Sequence, residues 1–163
     1  MLKLTDSYKG AYFELVERML RTGFRVSIIS DETGLQPSTV RRIAQEAGIK
    51  VKRFGTQAPL AALASSRSRI KELTLFCSLF AKSFDGAGKN GRIEAIMAAH
   101  ALYLEMRGCI GGSESDVLAV NDAYTAAYAY LRGQLRLEKC GCGSNYAEVD
   151  EQRIPLSCPF CVT

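Results

Sequence analysis

Four of the six cysteines stand in the last 24 residues of this 163-residue chain, and their spacing constrains its folding more than any other feature. The first pair has the spacing C-x-C, and 15 residues later the second pair has the spacing C-x-x-C. Two thiol pairs at this separation resemble a zinc ribbon, in which each pair lies on a tight turn. Glycine and proline, the residues that tight turns use, flank both pairs. The pattern predicts a small zinc-ribbon-like tail with the ligands Cys140, Cys142, Cys158 and Cys161.

Whether the cysteines bind a metal or form disulfides depends on the redox conditions of the cellular compartment. The amino-terminal MLKLTDSYKG lacks the apolar stretch of a signal peptide, and no apolar run reaches the roughly 18 residues of a membrane helix. We therefore expect a cytoplasmic protein without a membrane segment, in which reduced thiols favour a metal. A closed four-thiolate shell leaves no position for water, so one structural Zn²⁺ per chain is predicted. Reactive or disulfide-bonded cysteines are the alternative, and an iron–sulfur cluster is a minor one.

Apolar residues recur every three or four positions before the tail, which predicts a mainly α fold. The segment KELTLFCSLFAKSF is apolar around most of its circumference, so we expect a deeply buried helix there. Short loops between helices favour a helical bundle. The sequence therefore predicts three parts. Residues 1–55 form an amino-terminal helix with a helix-turn-helix, residues 56–135 form the bundle, and residues 136–163 form the four-cysteine segment.

The first part has the pattern of three helices. The first is predicted near residues 8–22, with one apolar stripe formed by Phe13, Val16, Met19 and Leu20. Two shorter helices are predicted at about 25–32 and 37–47. Gly34 stands between them, where a helix-turn-helix needs a residue that tolerates positive φ. This segment is therefore interpreted as a helix-turn-helix, with a plain helical hairpin as the alternative.

Positive charge is concentrated in and after this segment. Residues 36–71 contain eight basic residues and one acidic residue, a net charge of +7, whereas the rest of the chain carries −3. A local positive field on a near-neutral body favours a nucleic-acid partner. Hydroxyl groups suit phosphate oxygens, and Arg and Gln suit base edges in the major groove. The candidate DNA-binding residues are Ser38, Thr39, Arg41, Arg42, Gln45, Lys50, Lys52 and Arg53. A solvated basic face is the alternative.

The order of these parts resembles the FlhC family of flagellar transcriptional activators. The similarity rests on RMLRTGFRVSIISDETGLQPSTVRRI, LTLFCSLF, ALYLE, and CGSNY followed by C-x-x-C, and it covers nearly the whole chain. The resemblance implies zinc binding by the four tail cysteines. It also implies a hetero-oligomer with FlhD, by family resemblance a heterohexamer, that binds promoter DNA of flagellar operons and recruits RNA polymerase. The C-x-C spacing is shorter than the usual spacing in that family.

Two other function classes are weighed against a DNA-binding activator. A zinc-stabilised protein-interaction module without direct DNA binding is the alternative. An enzyme is not expected, because the sequence has neither an open metal position nor an acid pair beside a nucleophile. The lone histidine, His100, is expected to be packed or solvated instead of a ligand. Cys77 is expected in the core, and Cys109 at the surface.

Overall fold

The computed structural model describes residues 6–51, 56–87, 91–111, 113–150, 154 and 157–161. These residues form seven α-helices, two 3₁₀ turns and one two-stranded sheet. The predicted mainly helical fold is thereby confirmed. The chain divides into two compact units, Met1–Thr56 and Gln57–Thr163. None of the described helices has the length and apolar character that crossing a bilayer requires.

The first unit consists of three helices that each contact the other two. They are α1 (Asp6–Thr22), α2 (Val26–Thr33) and α3 (Pro37–Glu46). Their bounds agree closely with the expected helices. Apolar side chains from all three helices meet in a shared core and are almost fully buried: Val16, Met19, Ile28, Ile29, Val40 and Ile43.

Phe13 differs from the expectation, because 44% of it is exposed whereas the rest of its predicted stripe is buried. Helix α1 has 17 residues, but α2 has 8 and α3 has 10. At 1.5 Å per residue, α1 is about 26 Å long and α3 about 15 Å. Neither partner covers α1 over its whole length, so apolar spacing alone overestimated the buried stripe.

The second unit is built around one long helix. Helix α5 (Arg67–Ala87) contacts the short α4 (Leu60–Leu63), α6 (Arg92–Met106) and α7 (Val120–Leu131). The 3₁₀ turns Arg107–Ile110 and Glu114–Asp116 connect α6 to α7. The middle of α5 is fully buried, as its apolar circumference predicts, at Leu73, Phe76, Cys77 and Phe80. Cys77 is therefore a core residue, and Cys109 is exposed, both as expected.

A β-hairpin follows α7. Strand β1 (Leu135–Lys139) pairs antiparallel with β2 (Asn145–Val149), in the register Leu135↔Val149. Thr74 of α5 joins the hairpin to the helices: its hydroxyl accepts a hydrogen bond from the backbone N–H of Ala147 (2.8 Å) and donates one to Ile70 (2.6 Å). The hairpin is therefore attached to the bundle by a buried polar contact as well as by apolar packing.

A buried polar network connects α5 to the segment after α6. The carboxylate of Glu72, only 1% exposed, accepts hydrogen bonds from the Tyr103 hydroxyl (2.6 Å) and the Arg107 guanidinium (2.9 Å). The Tyr103 oxygen in turn accepts one from the N–H of Leu118 (2.8 Å). The ring of His100 is hydrogen-bonded to the carbonyl of Leu118 (2.8 Å). His100 is thus packed, as expected.

Candidate functional site

The first cysteine pair lies on the turn of the β-hairpin. The backbone N–H of Cys140 donates to the carbonyl of Ser144 at 2.9 Å, and that of Gly143 donates to the carbonyl of Cys140 at 2.9 Å. Gly143 has φ of +90°, a conformation that residues with a Cβ rarely adopt. This tight turn directs two cysteines to the same end of the hairpin although only one residue separates them.

The second pair lies on another turn, at the carboxyl-terminal end of the described chain. Cys158 and Pro159 are buried, and Cys161 is half-buried. Cys142, by contrast, is exposed. The cluster therefore lies at the surface of its unit, with one side covered by protein.

The four thiols converge on one point. All four sulfur atoms lie within 4.8 Å of one another. The Sγ atoms of Cys140 and Cys161 are 3.5 Å apart, and those of Cys142 and Cys158 are 3.8 Å apart. Each close contact joins one turn to the other, so the sulfurs form a compact group and not two separate pairs. This arrangement can hold a metal ion.

The surroundings of the thiols shift their pKa values in opposite directions. Hydrogen bonds from the backbone N–H and the side chain of Ser144 lower the pKa of Cys142 to about 6. Hydrogen bonding to Cys140 raises the pKa of Cys161 to about 12. Thiolates this close repel one another, so a bound cation favours the form in which all four are deprotonated.

Two cations at the start of α5 contact the second turn. The Arg67 guanidinium donates hydrogen bonds to the backbone carbonyls of Cys161 (3.0 Å) and Cys158 (3.3 Å). The ammonium of Lys71, one helical turn later, lies 5.8 Å from the centre of the Phe160 ring. Two of the eight cations in the basic segment are thus directed to the cysteine cluster. The sequence does not indicate this role, because Arg67 is 91 positions away from Cys158 and no local pattern connects them.

The second candidate site is the exposed face of α3. Helix α2 is capped at its carboxyl end by Gly34, whose φ of +69° is left-handed and whose N–H donates to the carbonyl of Ser30. Three residues later Pro37 begins α3, a position where its missing N–H costs nothing. The side chains of Val40, Ile43 and Ala44 point into the unit. The opposite face of α3 therefore points outward.

Most of the sequence-predicted DNA-binding residues lie on this outward face. On α3, Ser38, Arg41, Arg42 and Gln45 are exposed and Thr39 is half-buried; Lys50, which follows the helix, is exposed as well. Arg42 pairs with Glu46 at 3.3 Å, whereas Arg41 has no ion pair within the described part of the chain. Lys52 and Arg53 lie outside the described residues. The structure thus brings six of the eight candidates together on one small unit.

No protein-family model matches the chain, and no curated protein matches it.

Proposed function

We propose that this chain is a DNA-binding transcriptional activator of flagellar genes, acting in the cytoplasm in a hetero-oligomer with FlhD. In this proposal, α2 and α3 form a helix-turn-helix, and α3 enters the major groove of promoter DNA. The complex then recruits RNA polymerase. The family assignment rests on the sequence resemblance, and the chain is not proposed to be an enzyme.

The observation that carries the proposal is the composition of the outward face of α3. It presents Arg41, Arg42 and Gln45, and such side chains hydrogen-bond to base edges. Ser38 at the start of the helix suits a phosphate oxygen. The pair between Arg42 and Glu46 is exposed, so its loss on binding a base costs at most about 1 kcal/mol. Arg41 has no described ionic partner to lose.

We infer that the ion held by the four cysteines is Zn²⁺. Zinc binds thiolates at about 2.3 Å in a tetrahedron, and the edges of that tetrahedron are about 3.8 Å long. The sulfur distances of 3.5 and 3.8 Å across the two turns fit these edges. Such a site has no open position for substrate, so its role is structural: it fixes the second turn onto the hairpin.

The DNA-binding assignment is tested with base-contact variants. We expect the chain, produced together with an FlhD-family subunit, to retard flagellar promoter DNA more than a scrambled duplex. Arg41→Ala or Arg42→Ala should lose about 1–3 kcal/mol of that preference if the residue contacts a base. Arg21→Ala is the matched control, because Arg21 on α1 is also exposed and also pairs with a glutamate four positions away. Unchanged promoter preference in both α3 variants rejects the assignment.

Metal analysis tests the zinc assignment. Freshly purified, reduced protein should contain one zinc per chain, and Cys142→Ser should lose most of it. Cys109→Ser is the control, since Cys109 is exposed and lies outside the cluster. Absence of zinc from the unmodified chain, or another metal in its place, contradicts the inference.

The exposed apolar face of α6 supports binding of a partner protein. Such binding belongs both to the proposed function and to the alternative, a zinc-stabilised interaction module without direct DNA binding. Ala98, Leu102 and Met106 are spaced four apart on this helix and are all exposed. Leu102 is 42% exposed, Met106 42% and the neighbouring Leu104 47%. Exposed apolar surface of this kind marks protein–protein contacts. If the chain is only a zinc-stabilised interaction module, Leu102→Glu will abolish partner binding, yet no complex of the chain will retain DNA at physiological salt.

A further inference from the structure

Two arginines of the Gln57–Thr163 unit lie against one tyrosine ring. The guanidinium carbon of Arg92, the first residue of α6, is 5.4 Å from the centre of the Tyr128 ring. That of Arg132, directly after α7, is 5.8 Å from the same centre. The Tyr124 ring packs against Tyr128 with 4.6 Å between ring centres and an angle of 39° between the ring planes. Cation–π contact holds both arginines in place while their N–H groups remain able to donate hydrogen bonds.

These two charges are not neutralised within the described part of the chain. Both side chains are exposed, and neither Arg92 nor Arg132 forms an ion pair there. Arg136, only four residues further on, differs: it pairs with Asp150 at 3.0 Å and with Glu148 at 3.4 Å. Arg92 also lies in the first turn of its helix, where the helix dipole disfavours a cation. Helix stability therefore does not account for its position.

The described surface next to Arg132 has polar side chains and no acidic one. A cleft of about 220 Å³ lies there, and its described lining contains no acidic residue. Its polar side chains are those of Gln57, Tyr124, Thr125, Tyr128, Arg132 and Gln134. Arginine, glutamine, threonine and tyrosine are side chains that contact the phosphates and sugars of DNA. A guanidinium also matches two phosphate oxygens at once.

We propose that Arg92, Tyr128 and Arg132 form a second DNA-contacting surface, which binds the phosphodiester backbone without reading sequence. This inference rests on the proposed DNA-binding function and assigns a separate task to the second unit. Each arginine neutralises one phosphate and releases its counterion, so each contributes to the salt dependence of binding. The tyrosine ring is a positioning element that holds the two guanidinium groups ready for the backbone.

The test is the salt dependence of promoter binding by the complete metal-loaded chain with its partner subunit. Arg92→Gln and Arg132→Gln should each reduce the slope of log K against log salt by about 0.9. Near 0.1 M salt, each should weaken binding roughly eightfold. The ratio of promoter to scrambled-DNA affinity should not change, whereas Arg41→Ala should reduce that ratio. Both substitutions are at exposed positions, and circular dichroism checks that the variants are folded.

Two controls separate this surface from general electrostatics. Arg136→Gln removes the same charge from an arginine with three carboxylate partners, and it should leave the slope unchanged. Tyr128→Phe retains the ring and should bind normally, whereas Tyr128→Leu should weaken binding. A slope that is unchanged in the Arg92→Gln/Arg132→Gln double variant overturns this inference and leaves the DNA-binding proposal intact. Failure of the unmodified complex to bind any duplex overturns both.

Discussion

Glu72 and Arg107 form an ion pair of 2.9 Å in which the two side chains are only 1% and 11% exposed. The pair joins α5 to the 3₁₀ turn that follows α6. The Tyr103 hydroxyl of α6 donates a hydrogen bond to the same carboxylate. Arg107 also donates to the carbonyl of Ser113 at 2.6 Å and pairs with Glu114 at 3.4 Å. One guanidinium thus joins α5 to the connection between α6 and α7 at Ser113 and Glu114.

Arg107→Ala should therefore destabilise the second unit strongly. Removing one member of a buried ion pair leaves the other charge without compensation, which costs about 3–5 kcal/mol. The remaining hydrogen bond from Tyr103 places our expectation near the lower limit, about 3 kcal/mol. Urea unfolding followed by circular dichroism measures the change.

The matched control is Arg136→Ala. Arg136 also pairs with more than one carboxylate, but it is 45% exposed, and exposed pairs contribute about 0–1 kcal/mol. Equal effects of the two substitutions would contradict the importance assigned to burial.

The sequence did not predict this network of Glu72, Tyr103 and Arg107. The apolar pattern of α5 correctly predicted a buried helix, yet it gave no reason for a glutamate inside that helix. Glu72 is accommodated by Tyr103 and Arg107, which are 31 and 35 positions away. Helical periodicity describes one element at a time, so it cannot identify partners that only tertiary packing brings together.

His100 should make stability depend on pH. Burial lowers its pKa below the ordinary value of 6.5, although the hydrogen bond to Leu118 acts in the opposite direction. Below pH 6.5 the unfolded chain binds a proton more readily than the folded chain, so stability should decrease as the pH falls through and below that value. The free energy of unfolding between pH 5 and 8 measures this effect.

His100 is the only histidine, so one substitution isolates its contribution. His100→Gln keeps a polar group able to donate to Leu118 but does not titrate. The difference in stability between the unmodified chain and this variant should be constant above pH 7 and change below 6.5. Parallel curves over the whole range would show that burial does not lower this pKa.

Arg67→Gln should weaken metal retention although Arg67 is not a ligand. Its guanidinium holds the carbonyls of Cys158 and Cys161, and so fixes the turn that carries half of the sulfur cluster. Loss of such an outer partner typically lowers metal affinity about 10–100-fold. Competition with a colorimetric zinc chelator measures the affinity.

Arg69→Gln is the control for this prediction, because it removes the same charge two residues later on the same helix, away from the cysteine carbonyls. If both variants release zinc equally, the effect is one of general charge and not of the hydrogen bonds from Arg67.

The cysteine cluster and its support were predictable to different degrees. Spacing was sufficient to group Cys140 with Cys142 and Cys158 with Cys161, because each pair shares one local turn. The two strands of the hairpin were not predicted, although the alternation of apolar residues at Leu135 and Leu137 has the period of two that is typical of a strand. The contact with Arg67 has no local signal, since it depends on how the tail folds back onto α5.

Gly34→Ala and Gly10→Ala should change stability in opposite directions. A Cβ at either position meets no atom within 4 Å, so crowding does not distinguish them. Gly34 has φ of +69°, and the left-handed conformation costs a residue with a Cβ about 1–2 kcal/mol. Gly10 lies inside α1, where alanine is favoured over glycine by about 0.5–1 kcal/mol. Thermal unfolding should therefore show a lower midpoint for Gly34→Ala and a higher one for Gly10→Ala. If Gly34→Ala is neutral, the turn between α2 and α3 does not require glycine, and the main sequence argument for a helix-turn-helix is lost.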